Sequence, residues 1–293
     1  MPRCIPVLVL LLVTGAAAAP RPCPQYLPRP QLTGHVPAAL PELSGFAASA
    51  VHPGIYWAHN DSGNVLLALY AMRADGTIVA TFPLRGATAR DPEDIAVGPC
   101  VAGSPRSCIY LGDIGDNGAR RPSVQILKMA EPEDLDPAPL VPTILPFRYS
   151  GGPRNAEALV VDPVSARVFV ITKNVLSLGD VFRIDGLGER EGGNAVRIRT
   201  LRAPHEFDAA TTGAAVHPSG VRLLLRTYTR VWEFRSPRAR SFEDVLDAEP
   251  VAAPAARQPQ GEAISYSADG RTYLLGGEGV DSPIYRVLCA AEK

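Results

Sequence analysis

The sequence is short of net charge: 29 basic residues stand against 30 acidic ones, leaving −1 at neutral pH. So even a balance gives no electrostatic footprint for nucleic acid. Lysine is scarce, three residues against 26 arginines, a bias that accompanies abundant alanine and proline and carries no mechanism. Beyond residue 19 no apolar run is long enough to span a bilayer, and no segment has a long helical period. The chain also lacks a Gly-x-Ser-x-Gly elbow, a Walker loop, a zincin helix and a Cys-x-x-Cys pair. These absences remove the signatures of several hydrolases, nucleotide-binding proteins and dithiol oxidoreductases.

What is present begins at the N-terminus. Arg3 precedes an apolar run from Ile5 to Val13, then Gly15 and the alanines Ala16 to Ala19. A basic start, a short apolar stretch and small residues predict a secretory signal over 1–19 and a mature domain over 20–293. Arg21-Pro22 before Cys23 is a poor context for acylation, so export to the periplasm or medium is expected rather than a lipoprotein. Cys4 leaves with the signal, and Cys23, Cys100, Cys108 and Cys289 remain, an even number that suggests two disulfides.

A short pattern recurs along the mature chain. An acidic or hydroxyl residue and a small or polar one open an alternating strand, at Ser44-Gly45-Phe46, Glu93-Asp94-Ile95, Glu157-Ala158-Leu159, Thr212-Gly213-Ala214 and Glu262-Ala263-Ile264. Turns such as His52-Pro53-Gly54, Asp162-Pro163, His217-Pro218-Ser219-Gly220 and Ser267-Ala268-Asp269-Gly270 follow most of these strands. Strongly β-forming second strands come next, among them Ile55-Tyr56-Trp57 and Val168-Phe169-Val170-Ile171. Positions 46, 95, 159, 214 and 264 lie 49, 64, 55 and 50 residues apart, and the two termini together supply 56 more. The fold class is therefore all-β: a single β-propeller of five four-stranded blades, with six the alternative count. The segment Gln31 to Val36 completes the last blade, and the chain is expected to be a monomer. Closure pairs Cys23 with Cys289, leaving Cys100 and Cys108 to close a local loop.

In such a blade the first strand lines the channel, and the second returns to the face where the first began. One channel mouth is thus predicted to carry Ser44, Glu93, Glu157, Thr212 and Glu262. The loops above it bring Asn60, Asp61, Asp113, Asp116, Lys173, Arg226 and Glu278 as a pocket for a ligand. Three converging carboxylates repel one another, and a hard cation with oxygen ligands such as Ca2+ would join them. The rival role for each Glu is to cap backbone N–H groups of the next blade. His59 and His205 are acid–base candidates, with a structural role as the alternative; Asp113 to Gly118 is acidic but lacks the EF-hand ligand pattern.

The order Ser44, Glu93, Glu157, Thr212, Glu262 resembles the calcium-activated nucleotidases (apyrases), as does Glu42-Leu43-Ser44 followed by Asn60-Asp61-Ser62-Gly63. That resemblance implies a five-bladed propeller with a central Ca2+ ring of Ser and Glu side chains; Thr212 stands where a Ser is expected. The chain also looks like the broad set of secreted bacterial propellers. Two functions remain open: a module that binds a small anionic ligand or a protein at the mouth, and a metal-dependent hydrolase of phosphoanhydrides, phosphoesters or, second, lactones.

Overall fold

The computed structural model describes residues 20–61, 66–204 and 210–291. The predicted signal and His205 lie outside these residues, as do Ser62 and Gly63. The described chain is all-β, with 20 strands in four sheets and one short helix, α1 (Phe242–Val245). No described helix is long and apolar enough to cross a membrane.

Strand β1 (Gln31–His35) is the N-terminal strand. A first sheet runs β2 (Leu43–Ala48), β3 (Ile55–Asn60), β4 (Ala68–Arg73) and β5 (Ile78–Pro83). The next group is β6 (Pro92–Pro99), β7 (Ser107–Asp113), β8 (Val124–Ala130) and β9 (Thr143–Tyr149), followed by β10 (Ala156–Val161), β11 (Val168–Thr172), β12 (Gly179–Asp185) and β13 (Gly193–Leu201). These eight form one sheet, because β13 pairs in parallel with β9 through Gly193, Asn194 and Ala195. That joint is a departure from the separate four-stranded units expected; two outer edges satisfy each other's backbone groups instead of facing water. Then come β14 (Thr211–Val216), β15 (Arg222–Thr227), β16 (Val231–Arg235) and β17 (Val251–Ala253). The last sheet is β18 (Gly261–Tyr266), β19 (Tyr273–Gly277), β20 (Pro283–Val287) and, at its edge, β1.

Burial follows position in this order. The inner strands β10 and β18 are buried at every residue, whereas the outer β9 alternates buried and exposed. An inner strand is covered on both faces, so β-branched, aliphatic and small residues fill it; an outer strand keeps one face in water. The first strands pack in sequence, β2 on β6, β6 on β10, β10 on β14, β14 on β18, and β18 back on β2. Five apolar clusters lie between successive groups, centred on Phe147 and Phe182, Phe169 and Phe242, Phe46 and Leu274, Trp57 and Phe82, and Tyr273 and Leu224. Each such large side chain contributes about 1.5–3 kcal/mol of burial. The arrangement is propeller-like.

Two disulfides are formed. Cys23–Cys289, with Cα atoms 5.6 Å apart, ties residues 266 positions distant. Beside it β1 pairs with β20, so the chain ends are held twice. Cys100–Cys108 closes the loop between β6 and β7. Bonds of this kind belong to an oxidising compartment.

Candidate functional site

The five residues predicted for the mouth occupy one structural position. Pairing between first and second strands skips Ser44, Glu93, Glu157 and Thr212, each falling between two paired neighbours. In the last sheet the skipped residues are Glu262 and Ala263. Every first strand therefore opens with a β-bulge, and the bulged residue is the predicted one. A bulge kinks the strand and re-aims the extra side chain.

The two hydroxyls and the three carboxylates are used differently. Ser44 donates to the backbone carbonyl of Glu93, and Thr212 donates at 2.7 Å to the carbonyl of Gly261. Each thus ties its strand to the next. The carboxyls are buried with like charges around them. Burial pushes Glu93 up to about 11, reinforced by Glu157, Asp61 and Asp91. Burial and then Glu157 raise Glu262 to about 8. Glu157 accepts from Lys173 Nζ at 3.1 Å and from Asn155 Nδ2 at 3.0 Å. Lys173 lies 4.9 Å from the Tyr228 ring centre. Burial works against its charge, but Glu157 and Tyr228 outweigh that and hold it above its ordinary value.

The tightest acidic group is Asp61, Asp91 and Glu93, with one oxygen of each within 4.8 Å of the others. Asp91 lies outside the set predicted from the repeats. It stands two residues before Glu93, at the offset that Glu42 has from Ser44 and Asn155 has from Glu157, so the same repeat register carries it. Burial raises its carboxyl, partly offset by Arg121 and by a hydrogen bond with Asp61. Gly115 leans over this group: a Cβ there would sit 2.3 Å from Glu93 Oε1 and 2.5 Å from Asp91 Oδ2. The residue must be glycine for the oxygens to keep that space. The donors are all hard oxygens, and together with the cradle they fit a hard cation. Glu93 is the ring carboxylate that belongs to this cluster, whereas Glu157 is paired with Lys173.

The predicted pocket residues divide. Asn60 is a structural link, accepting from Glu42 N at 3.1 Å and donating to Ala39 O at 3.0 Å. Asp113 takes both guanidinium nitrogens of Arg121 at 2.9 Å, Gln125 at 2.8 Å and the backbone N–H of Asp91 at 2.9 Å. It fixes the Asp91 loop and turns its own charge inward. Asp116 accepts from Arg121 N at 2.7 Å, and its N–H donates to Asn155 Oδ1 at 2.6 Å. Glu278 accepts from Gln260, and burial together with Glu42 raises its carboxyl. Arg226 departs from the expectation of an anion-reading side chain open at the mouth. It is buried and donates to Gln258 at 2.5 Å, because β15 carries it inside the sheet stack. His59 is likewise enclosed; burial lowers it to about 4, so it is a neutral core ring.

Below the ring lies a residue whose role the repeats did not reveal. The residue after each of the five predicted ones is Gly45, Asp94, Ala158, Gly213 or Ala263, all buried. Only Asp94 has a side chain of any length, and it fills the space the others leave. Its carboxylate accepts the N–H groups of Ile95 at 2.8 Å, Leu159 at 2.8 Å and Ala214 at 3.3 Å, joining three first strands.

No family model matches the chain, and no curated relative matches it. The nucleotidase family suggested by the short motifs is therefore not recovered. Among solved structures, the Kuenenia stuttgartiensis hydrazine synthase aligns over 88% of this chain and 98% of its own, at 10% identity and TM-score 0.47. A 6-phosphogluconolactonase-like protein of Bacteroides uniformis aligns over 88% of this chain and 71% of its own, at 16% identity and TM-score 0.44. Both scores are too low to carry an argument about this chain.

Proposed function

We propose that the chain is an exported five-bladed β-propeller, closed by its N-terminal strand, that holds a hard divalent cation, Ca2+ first, at its acidic mouth and acts there as a binding module. The closed order of first-strand packing and the five interstitial clusters support the blade count. The eight-stranded sheet is then two blades joined at their edges. The observation that carries the cation is the group Asp61, Asp91 and Glu93 beneath the Gly115 cradle. These three residues would hold the ion, with Glu157 and Glu262 adding negative potential behind them. The ion would supply positive charge that lets the buried carboxyls ionise together and stiffens the mouth.

A binding role is favoured over hydrolysis by what surrounds the mouth among the described residues. Arg226 and His59, an anion reader and an acid–base group that a phosphoester reaction could use, are both buried; His205, the other acid–base candidate, lies outside the described residues. The loop that follows Lys173 instead offers Val175 and Leu176, 76% and 88% exposed, and the other loops at that end add Leu66 and Val280. Apolar tips around a charged centre suit a protein surface. The test uses the full mature chain as bait in Ca2+. The reading expects a partner released by chelator and lost in Leu176→Ser. A partner indifferent to both, or metal-dependent turnover of nucleotides, phosphomonoesters or lactones, would overturn it.

A further inference from the structure

The opposite end of the same axis holds a second site of different chemistry. Beyond the Asp94 layer the first strands enclose a cavity of about 300 Å3. Its walls come from all five of them, with Phe46, Ile95, Val97, Leu159, Val161 and Val216 supplying the larger apolar surfaces. The room exists because small residues occupy the far halves of two strands, Ala47-Ala48 in β2 and Ala214-Ala215 in β14. Asp94 ties β6 to β10 and β14 on the inner side of this cup.

One wall has another origin. Ser104, Pro105 and Arg106, in the loop between β6 and β7, line the cup with Ser107 at the start of β7. That loop is held by the Cys100–Cys108 disulfide, by the N–H of Cys100 on the carbonyl of Arg106 at 2.9 Å, and by Lys128 Nζ on the carbonyl of Cys100 at 2.5 Å. Arg106 is exposed at the rim and joins no ion pair among the described residues. Across the rim the acid beside Ala268 is already engaged: Asp269 accepts from Ser267 at 2.6 Å and from Arg271 N at 3.0 Å. The cup therefore combines a largely apolar interior with one guanidinium outside any ion pair among the described residues.

We propose that this cup binds a compact monocarboxylate, its apolar body among the first strands and its head on Arg106. The site is independent of the cation at the other mouth. At the ~30 Å3 that a water occupies in the liquid, the volume takes roughly ten heavy atoms, the size of a small aromatic acid. An apolar body gains dispersion contacts in such a cavity, and arginine matches a carboxylate in two parallel hydrogen bonds. The disulfide has a stated role here: it keeps the charged wall in place.

Benzoate, with benzyl alcohol as its neutral counterpart, is the probe. Titration followed by ligand-observed NMR should give saturable benzoate binding that is unchanged in chelator. Ala268→Trp, at the exposed rim, should abolish it. Arg106→Ala should weaken benzoate about tenfold and leave benzyl alcohol as it was. The double change Cys100→Ser, Cys108→Ser should weaken benzoate several-fold with the fold retained by circular dichroism. Benzoate binding that survives Ala268→Trp, equal binding of the two probes, or no binding at millimolar concentration would overturn the proposal. None of these results depends on Ca2+, so they stand apart from the outcome at the acidic mouth.

Discussion

Asp94 Oδ2 accepts the backbone N–H of Leu159 at 2.8 Å, linking the first strands β6 and β10 across the axis. Burial pushes this carboxyl well above the usual carboxylate range, against the pull of its backbone donors. Both oxygens are in use, Oδ1 accepting from Ile95 N and Oδ2 from Leu159 N and Ala214 N. Asp94→Asn turns an amide NH2 toward one of these donors and should cost about 1–3 kcal/mol, whereas Asp94→Ala, which leaves three buried N–H groups unserved, should cost roughly 2–5 kcal/mol. Denaturant unfolding of the two variants gives the order directly.

Acid sensitivity should come from buried histidines. His59 and His217 are both lowered from 6.5 to about 4, by burial first; for His217, Arg222 adds to it. His217 accepts at Nδ1 from Ser219 N at 3.0 Å and packs edge-on to Tyr266. An unfolded chain protonates these rings near 6.5 while the folded one does not, so the histidines' share of stability is full above that pH and falls as pH drops toward 4, against the opposite slope of the raised carboxyls Glu93 and Glu262. The slope is at most about 1.4 kcal/mol per pH unit for each proton. His217→Asn should remove one proton's share of it in unfolding titrations between pH 4 and 7.

Lys173 stands beside Glu157 as a resident counter-charge, 3.1 Å away. If a cation occupies the nearby acidic group, the ammonium repels it. Lys173→Met should tighten Ca2+ binding several-fold, since removing one charge at this range is worth on the order of 1 kcal/mol. Unchanged or weaker affinity would mean that Lys173 supports the carboxylates rather than competing for them.

Much of this geometry was readable from spacing. Equivalent offsets carried Ser44, Glu93, Glu157, Thr212 and Glu262 to five matching bulges, and closure of the termini gave the partner of Cys23. Asp91 and Asn155 sit at a shared offset too, but their side chains differ, so residue type concealed the register. The part of Asp94 depends on Gly45, Ala158, Gly213 and Ala263 meeting around one axis, a relation among distant residues that no local pattern records. Arg226 is expected in the loop after the second strand, but β15 runs on to Thr227, and the stacked sheets bury the residue and bond it to Gln258. The β9–β13 edge pairing follows from blade proximity, not from either strand's sequence.

The most direct test of the cation is calorimetric titration of chelator-stripped protein with Ca2+ in two buffers of different ionisation enthalpy. The account predicts a single site that vanishes in Glu93→Gln. It also predicts release of protons on binding, because Glu93 and Glu262 are raised to about 11 and about 8 and must ionise to meet the ion. No heat of binding, or binding that persists in Glu93→Gln with no proton released, would contradict a cation held at the acidic mouth.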